Sequence, residues 1–346
     1  MSLTVPYEIK GWCPGVLRPM QSGDGLLVRV RPWVGAFTLE QAAGLADIAA
    51  TLGNGHIDLT RRANLQIRGL SEERSPALRD ALDRLGLLEA EEARNVMVDP
   101  LAGPEVRALA LTLGRALPHD VPAKFGCLVD GGGPLSIAGE RADIALCMTT
   151  EGVALRIDGE WRGVTTPDRA VAAALGSTGS LSKMIVMPVP GRRRLGRLGR
   201  FTGVAVPFGR FEASQLRELV ERCAEAGASE IRLSPWRALY IDAVIDGTGL
   251  IVDDDDPLLR IEACPGASAC SSATVDTRSA ARQVAALGIP GSIHVSGCAK
   301  GCARSAPADL VLVGSEGRYG VVRNGTARDR VVRTVARDEL ASLLDA

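Results

Sequence analysis

Laid over itself with an offset of 174 positions, the chain meets its own sequence again. Gly35 falls on Gly209, Phe37 on Phe211, Gln41 on Gln215, Leu45 on Leu219, Ala50 on Ala224 and Gly53 on Gly227. The register continues without a gap through Ile57 and Ile231, Leu59 and Leu233, Leu65 and Leu239, and Ile67 and Ile241. Two unrelated amphipathic pieces would share some apolar positions through periodicity alone, but not the turn glycines as well. A duplicated module is therefore expected, its two copies forming one barrel-like sheet about a pseudo-twofold axis.

Each copy reads strand, helix, strand, strand. In the first, Gly25 to Arg31 alternates, with Arg29 and Arg31 on one face and Leu27, Val28 and Val30 supplying apolar packing. A helix from Thr38 to Leu52 follows, with Thr38 as N-cap and Gln41 completing a capping box. Strands His56 to Thr60 and Asn64 to Gly69 are joined through Arg61 and Arg62. This order predicts an α+β sandwich whose sheet is open on one face. Between the copies lie helices at Ser71 to Leu88, Glu105 to Leu117 and Asp168 to Leu175. Strands are expected from Lys124 (KFGCLVD), at Ile144 to Met148 and at Val153 to Ile157. Pro188 to Arg200 carries turn formers and five arginines and reads as an exposed linker at the main boundary; Asp253 to Asp256 reads as an acidic turn.

Ile261 to Arg304 holds four of the eight cysteines: Cys264 and Cys270 with five residues between them, Cys298 and Cys302 with three. A helix (Thr277 to Leu287), a turn and a strand (Ser292 to Val295) lie between the pairs, an arrangement that suits one compact inorganic centre. Zinc knuckles usually have about two to four intervening residues, which the first pair fits poorly. A cube of iron and sulfide is wider and is also held by four thiolates. Disulfides are disfavoured because the opening MSLTVPYEIKGW lacks the apolar core of a secretory leader, which points to a reducing, cytoplasmic setting. Four inert buried thiols remain a further reading. Against it stand Gly266, Gly297 and Gly301, which let backbone approach a bulky group and leave amides for sulfur. Cys13, Cys127, Cys147 and Cys223 read as buried by default. His56, His119 and His294 are too scattered for a histidine metal site and read as structural.

The charge balance narrows the partners. A net charge of −1 with 46% apolar residues describes a soluble globular chain and argues against a nucleic-acid or membrane surface. Only Lys10, Lys124, Lys183 and Lys300 are lysines, so arginine supplies almost all the positive charge. A GC-rich genome would produce the same bias; planar guanidinium groups also suit a ligand bearing many carboxylates.

The cysteine pattern, Cys-x5-Cys followed by Ser-Gly-Cys-x3-Cys, resembles the nitrite and sulfite reductase family, in which a 4Fe-4S cluster sits against a tetrapyrrole. The wording CPGASACSSATVDTR and HVSGCAKGCARSAPAD is most similar to its precorrin-3B synthase branch. Lys300 stands where the reductases typically have Asn, and their stronger Thr-Cys pattern at the second ligand is missing. The resemblance implies an α+β fold of the nitrite/sulfite reductase type. Its two pseudo-symmetric halves would pair ferredoxin-like sandwich modules with cluster-side α/β domains, at about 1–70, 71–190, 191–247 and 248–346. It implies Cys264, Cys270, Cys298 and Cys302 as cluster ligands, and Arg29, Arg62, Arg94 and Lys124 as catalytic cations on the distal face of the ring. Arg31, Arg61, Gln66, Arg232, Arg237, Lys300 and Arg304 would contact the tetrapyrrole. Independently of the family, cations aimed into one cavity neutralise ring carboxylates and stabilise anionic intermediates. Gly126 stands where the reductases carry a second basic or amide side chain, which argues against a small oxyanion and leaves room for something larger.

The activity so implied is hydroxylation of precorrin-3A at C-20 by dioxygen, with closure of a γ-lactone, in aerobic cobalamin synthesis. An external electron donor is then required: a reductase linked to NAD(P)H, a ferredoxin or a flavodoxin, since no G-x-G-x-x-G follows a strand. The resemblance allows for an additional iron, for which the sequence offers no recognisable ligand set. Two alternatives stand beside it: a sirohaem-dependent nitrite or sulfite reductase, and a non-catalytic iron–sulfur or tetrapyrrole-binding protein.

Overall fold

The computed structural model describes residues 13–88, 95–118, 120–122, 124–176, 181–183 and 186–345. The first copy of the repeat comprises β1 (Met20–Ser22), β2 (Gly25–Val30), β3 (Ala36–Thr38), α1 (Leu39–Thr51), β4 (His56–Leu59) and β5 (Leu65–Leu70). Then come α2 (Ser75–Arg84), β6 (Asn95–Val98), α3 (Pro104–Ala116), β7 (Gly126–Asp130), β8 (Ile144–Thr149), β9 (Gly152–Ile157), β10 (Glu160–Thr165) and α4 (Pro167–Ala174). The second copy comprises β11 (Gly196–Leu198), β12 (Phe201–Ala205), β13 (Arg210–Glu212), α5 (Ala213–Glu225), β14 (Glu230–Leu233) and β15 (Ala238–Ile241). The chain ends in β16 (Ile261–Ala263), α6 (Thr277–Ala286), β17 (Ile293–Ser296), β18 (Ala308–Ser315), β19 (Arg318–Gly325) and β20 (Arg333–Val335).

The sequence offset carries β3, α1 and β4 onto β13, α5 and β14 residue for residue. Backbone strain repeats with it. Val34 and Phe208 have φ of 46° and 58°, and Ala63 and Arg237 have φ of 50° and 58°, all in the left-handed region that side chains avoid. The same unfavourable conformation at the same two positions of both copies is the backbone counterpart of the sequence repeat. The helix caps repeat too. Thr38 accepts the Gln41 amide at 3.1 Å while the Gln41 side chain accepts the Thr38 amide at 3.0 Å, and Glu212 and Gln215 do the same for α5.

The copies do not form the single barrel-like sheet expected from the repeat. They form two five-stranded sheets, β1-β2-β5-β4-β13 and β11-β12-β15-β14-β3, each completed by the third strand of the other copy. β13 lies antiparallel on β4 with Phe211 opposite Ile57, and β3 lies antiparallel on β14 with Phe37 opposite Ile231. Phe37 and Phe211 are fully buried, so each exchanged strand seats an aromatic anchor worth about 2–3 kcal/mol of apolar transfer. The exchange is reciprocal, as a pseudo-twofold relation requires, and α1 packs on α5.

The other two sheets share one plan. β6, β7 and β8 are parallel with β9 and β10 added antiparallel; β16, β17 and β18 are parallel with β19 and β20 added antiparallel. α3 follows β6 as α6 follows β16. By contacts, the described chain divides into one unit of residues 21–26 and 253–345 and another of 13–20 and 27–252. The first strand therefore contributes its hairpin tip to the cysteine-bearing unit, which a linear reading of the domains did not foresee.

Three local expectations change. Lys124 is exposed in the turn before β7 and does not belong to the strand. The stretch Pro188 to Arg200 is not a free linker: the Gly191 amide donates to Ser136 O at 2.8 Å, and Gly196–Leu198 pairs with β12. Helix α2 is shorter than Ser71 to Leu88, because Glu72–Arg74 forms a separate 3-10 turn before Pro76 can start the α-helix.

Candidate functional site

Four cysteines lie in the loops at the carboxyl ends of β16 and β17. Cys264 leaves β16 directly, and the loop to α6 carries Cys270; Cys298 follows β17 by two residues, and Cys302 lies in the loop toward β18. Their thiols are close enough for Cys264 and Cys270 to hinder ionisation of Cys298 and Cys302. Burial is the larger cause: it pushes the Cys298 thiol up and, although Cys302 is exposed as a residue, pushes the Cys302 thiol up to about 11. Among the described residues no three His, Cys, Asp or Glu side chains gather closely enough to hold one metal ion.

The loops are nonetheless shaped for sulfur. The Gly297 amide donates to Cys264 Sγ at 3.2 Å, and the Lys300 amide donates to Cys298. A β-carbon on Gly297 would lie 2.5 Å from that of Ala273 and 3.6 Å from Cys264 Sγ, so only glycine keeps the amide so near the thiol. Gly266, at φ +76°, passes Thr277, whose hydroxyl donates to Cys264 O at 2.5 Å and pins the first loop to α6. Ser296 Oγ donates to Cys298 O at 2.7 Å and pins the second. The hairpin tip adds a third support: Ser22 Oγ donates to Ala269 O at 2.9 Å, and a β-carbon on Gly23 would stand 2.8 Å from Ser271 N and 3.0 Å from the Cys270 backbone. Amides directed at thiols, on loops fixed from three sides, fit a cluster bound through four cysteines.

The Arg304 guanidinium is engaged within the protein. Its Nη1 meets Glu262 Oε2 at 2.8 Å, while Nε and Nη2 donate to Pro307 O at 2.9 and 2.8 Å. Glu262 lies two residues before Cys264 and Arg304 two after Cys302, so this ion pair ties the outer ends of the two ligand segments together. Lys300 is half-buried in the second cysteine loop, and its charge favours thiolate at Cys298 and Cys302. His294 on β17 is fully buried in the sheet, in keeping with a structural role.

The other unit carries the basic group. Arg29 projects from β2 close enough to Arg31 and Arg62 for their charges to act on it, and it donates a hydrogen bond to the Cys13 sulfur. Its pKa is lowered, first by burial and then by those two guanidinium groups, with Cys13 opposing. Arg62 stands in the turn between β4 and β5, where the Thr60 hydroxyl accepts the amides of Arg62 and Asn64 at 3.3 and 3.2 Å. Asn64 Nδ2 donates to Asn95 Oδ1 at 2.6 Å, tying this turn to β6. The space at Gly126 is filled: a β-carbon there would overlap Arg62 Nη1 and lie 3.5 Å from its Cζ. Arg61 is exposed, and Arg31 and Gln66 are half-buried. Arg94 and His119 lie outside the described residues.

Arg232 is committed within the protein. Its Nε meets Glu230 Oε1 at 2.8 Å, and its Nη1 donates to Pro100 O and Ala102 O, each at 3.0 Å. Arg107 holds the same Glu230, so these side chains form a buried tie between β14 and the loop after β6. Arg237 occupies a strained turn position, with its stem against Gly209. Sequence reasoning did not single out Cys13, Glu262 or Gly23 as neighbours of the site. None lies in a recognisable motif, and each acts on a residue distant in sequence.

Comparison with known proteins follows the same lines. The nitrite/sulfite reductase ferredoxin-like half domain matches residues 18–85. A precorrin-3B synthase of Sinorhizobium sp. is 32% identical over 94% of this chain and 85% of its own length. A ferredoxin–nitrite reductase of Synechococcus elongatus is 23% identical over 89% of this chain and 79% of its own. Among solved structures, the NirA protein of Mycobacterium tuberculosis superposes with a TM-score of 0.70 at 19% identity, covering 92% of this chain and 79% of that one. No described helix is long and apolar enough to cross a membrane.

Proposed function

This chain belongs to the precorrin-3B synthase family, and from that premise we propose that it hydroxylates precorrin-3A at C-20 with dioxygen, closing a γ-lactone in aerobic cobalamin synthesis. More broadly it is an oxidoreductase of the nitrite/sulfite reductase group. The observation that carries the reading is the 32% identity sustained over 94% of the chain, against 23% for the nitrite reductase. On this reading Cys264, Cys270, Cys298 and Cys302 hold a 4Fe-4S cluster, which when bound supplies one-electron transfer. The Gly297 and Lys300 amides temper charge on its sulfurs, and the Glu262–Arg304 pair keeps the two ligand segments in register.

The substrate is a macrocycle rich in carboxylates. Arg31 and Arg62 each act on Arg29 with like charge, so an anion placed beside Arg29 offsets that repulsion and gains charge-assisted hydrogen bonds. Arg94 and Lys124 remain in the proposal as catalytic cations, and Arg61, Gln66, Arg237 and Lys300 as further contacts. Arg232 and Arg304 enter it as positioning residues instead. Electrons come from an external donor, which for the relative from Synechococcus elongatus is ferredoxin by name. Sirohaem belongs only to the nitrite or sulfite reductase alternative.

The test is turnover of precorrin-3A by anaerobically purified protein supplied with a reduced electron donor such as ferredoxin, followed by mass spectrometry with and without dioxygen. Product heavier by one oxygen atom only when dioxygen is present supports the assignment. Reduction of nitrite or sulfite without action on precorrin-3A overturns it.

A further inference from the structure

We propose that Gly126 is a specificity-determining position, because its missing side chain is the seat of the Arg62 guanidinium; this rests on the reading of the basic group as a site for ring carboxylates. Gly126 opens β7, and its backbone is fixed on both sides by Asp143: its amide donates to Asp143 Oδ2 at 2.7 Å, and its carbonyl accepts the Asp143 amide at 2.8 Å. It cannot readily yield. A β-carbon built there meets only Arg62 within 4 Å: overlapping Nη1, 3.5 Å from Cζ and 4.0 Å from Nη2. Gly126 is not among the residues with positive φ, so its backbone would accept alanine.

Any side chain at 126 therefore acts on one partner. It pushes the free end of Arg62 out of its seat and away from the place where its charge acts on Arg29. A planar guanidinium binds a carboxylate through two parallel hydrogen bonds only while its fork is held in place. Glycine at 126 thus sets the direction of the Arg62 fork, and so which anionic group of a ligand it meets. Position 126 selects by leaving room for a cation carried from the β4–β5 turn, without supplying a group of its own.

The experiment is a double-mutant cycle read by fluorescence titration with uroporphyrin I, an octacarboxylate macrocycle, on the cluster-loaded protein. Arg62→Ala and Gly126→Ala should each weaken binding by about tenfold, the scale of one charge-assisted contact. The double variant should be no weaker than Arg62→Ala alone, because both changes remove the same interaction. Thermal unfolding should hardly change in Gly126→Ala, since only a flexible side-chain end must move; any loss should be recovered in the double variant. Gly126→Ala binding as well as wild type, or effects that multiply in the double variant, would overturn the role of Gly126. Absence of uroporphyrin binding by the wild type would overturn the carboxylate-site reading itself, and the inference with it.

Discussion

Asp99 follows β6 and Asp130 ends β7, the strands that correspond to β16 and β17 ahead of the cysteine loops, and both are nearly inaccessible. Burial raises the Asp99 carboxyl from 3.8 to about 7 and the charge of Asp130 adds to this, outweighing the amides of Leu101 and Gly131 that favour the carboxylate. The folded chain thus keeps a proton there that the unfolded chain has lost. The contribution of Asp99 to stability is present below about pH 4 and falls as pH rises toward 7. Denaturant midpoints between pH 5 and about pH 8 should fall less steeply in Asp99→Asn than in wild type; equal slopes would contradict this. Glu262 and Arg304 allow a second test at the same scale. Glu262→Gln should leave the four ligands intact yet speed the loss of iron to a chelator severalfold, while Asp254→Asn, in the acidic turn, should not. The two cysteine loops were legible because the spacing within each pair is local in sequence. The partners of Arg62 and Arg304 were not: a glycine at 126 and a glutamate at 262 look ordinary until folding places them against those guanidinium groups.

At the scale of elements, the hairpin tip between β1 and β2 makes the clearest prediction. Gly23→Val should displace the Cys270 peptide, because the added carbons meet backbone that has no rotamer to change. The expected result is a preparation with reduced iron and sulfide but intact secondary structure by circular dichroism; full cluster content would remove the tip from the site. Ser22→Ala, which loses only the bond to Ala269, should be milder. A third prediction concerns the exchanged strands. Phe211→Ala should cost about 3–5 kcal/mol in unfolding, since it empties a fully buried position that seats β13 on β4. Periodicity and a capping box located α1 and the strands β2, β4 and β5 to within a few residues, and the repeat carried α5 with them, but β3 and β13 were not expected. Those signals could not say which copy β3 and β13 would join, since a three-residue strand with one buried Phe satisfies either sheet.

At the scale of the whole molecule, the duplication runs further than the sequence displays. The ferredoxin-like modules keep identities where turn glycines such as Gly35 and Gly209 hold positive φ in both copies. The sheets β6 to β10 and β16 to β20 share their strand order and directions, while the loops after the parallel strands carry cysteines in one and buried aspartates stand there in the other. One half thus carries the cysteine set, and the unit holding the other carries the group of arginines. The central claim is that this chain holds a 4Fe-4S cluster and treats a tetrapyrrole as substrate. It is tested most directly by iron and sulfide analysis of anaerobically purified protein together with acid-acetone extraction. About four irons and four sulfides per chain with no extractable sirohaem is the predicted result. Stoichiometric sirohaem would make the macrocycle a cofactor and contradict the account.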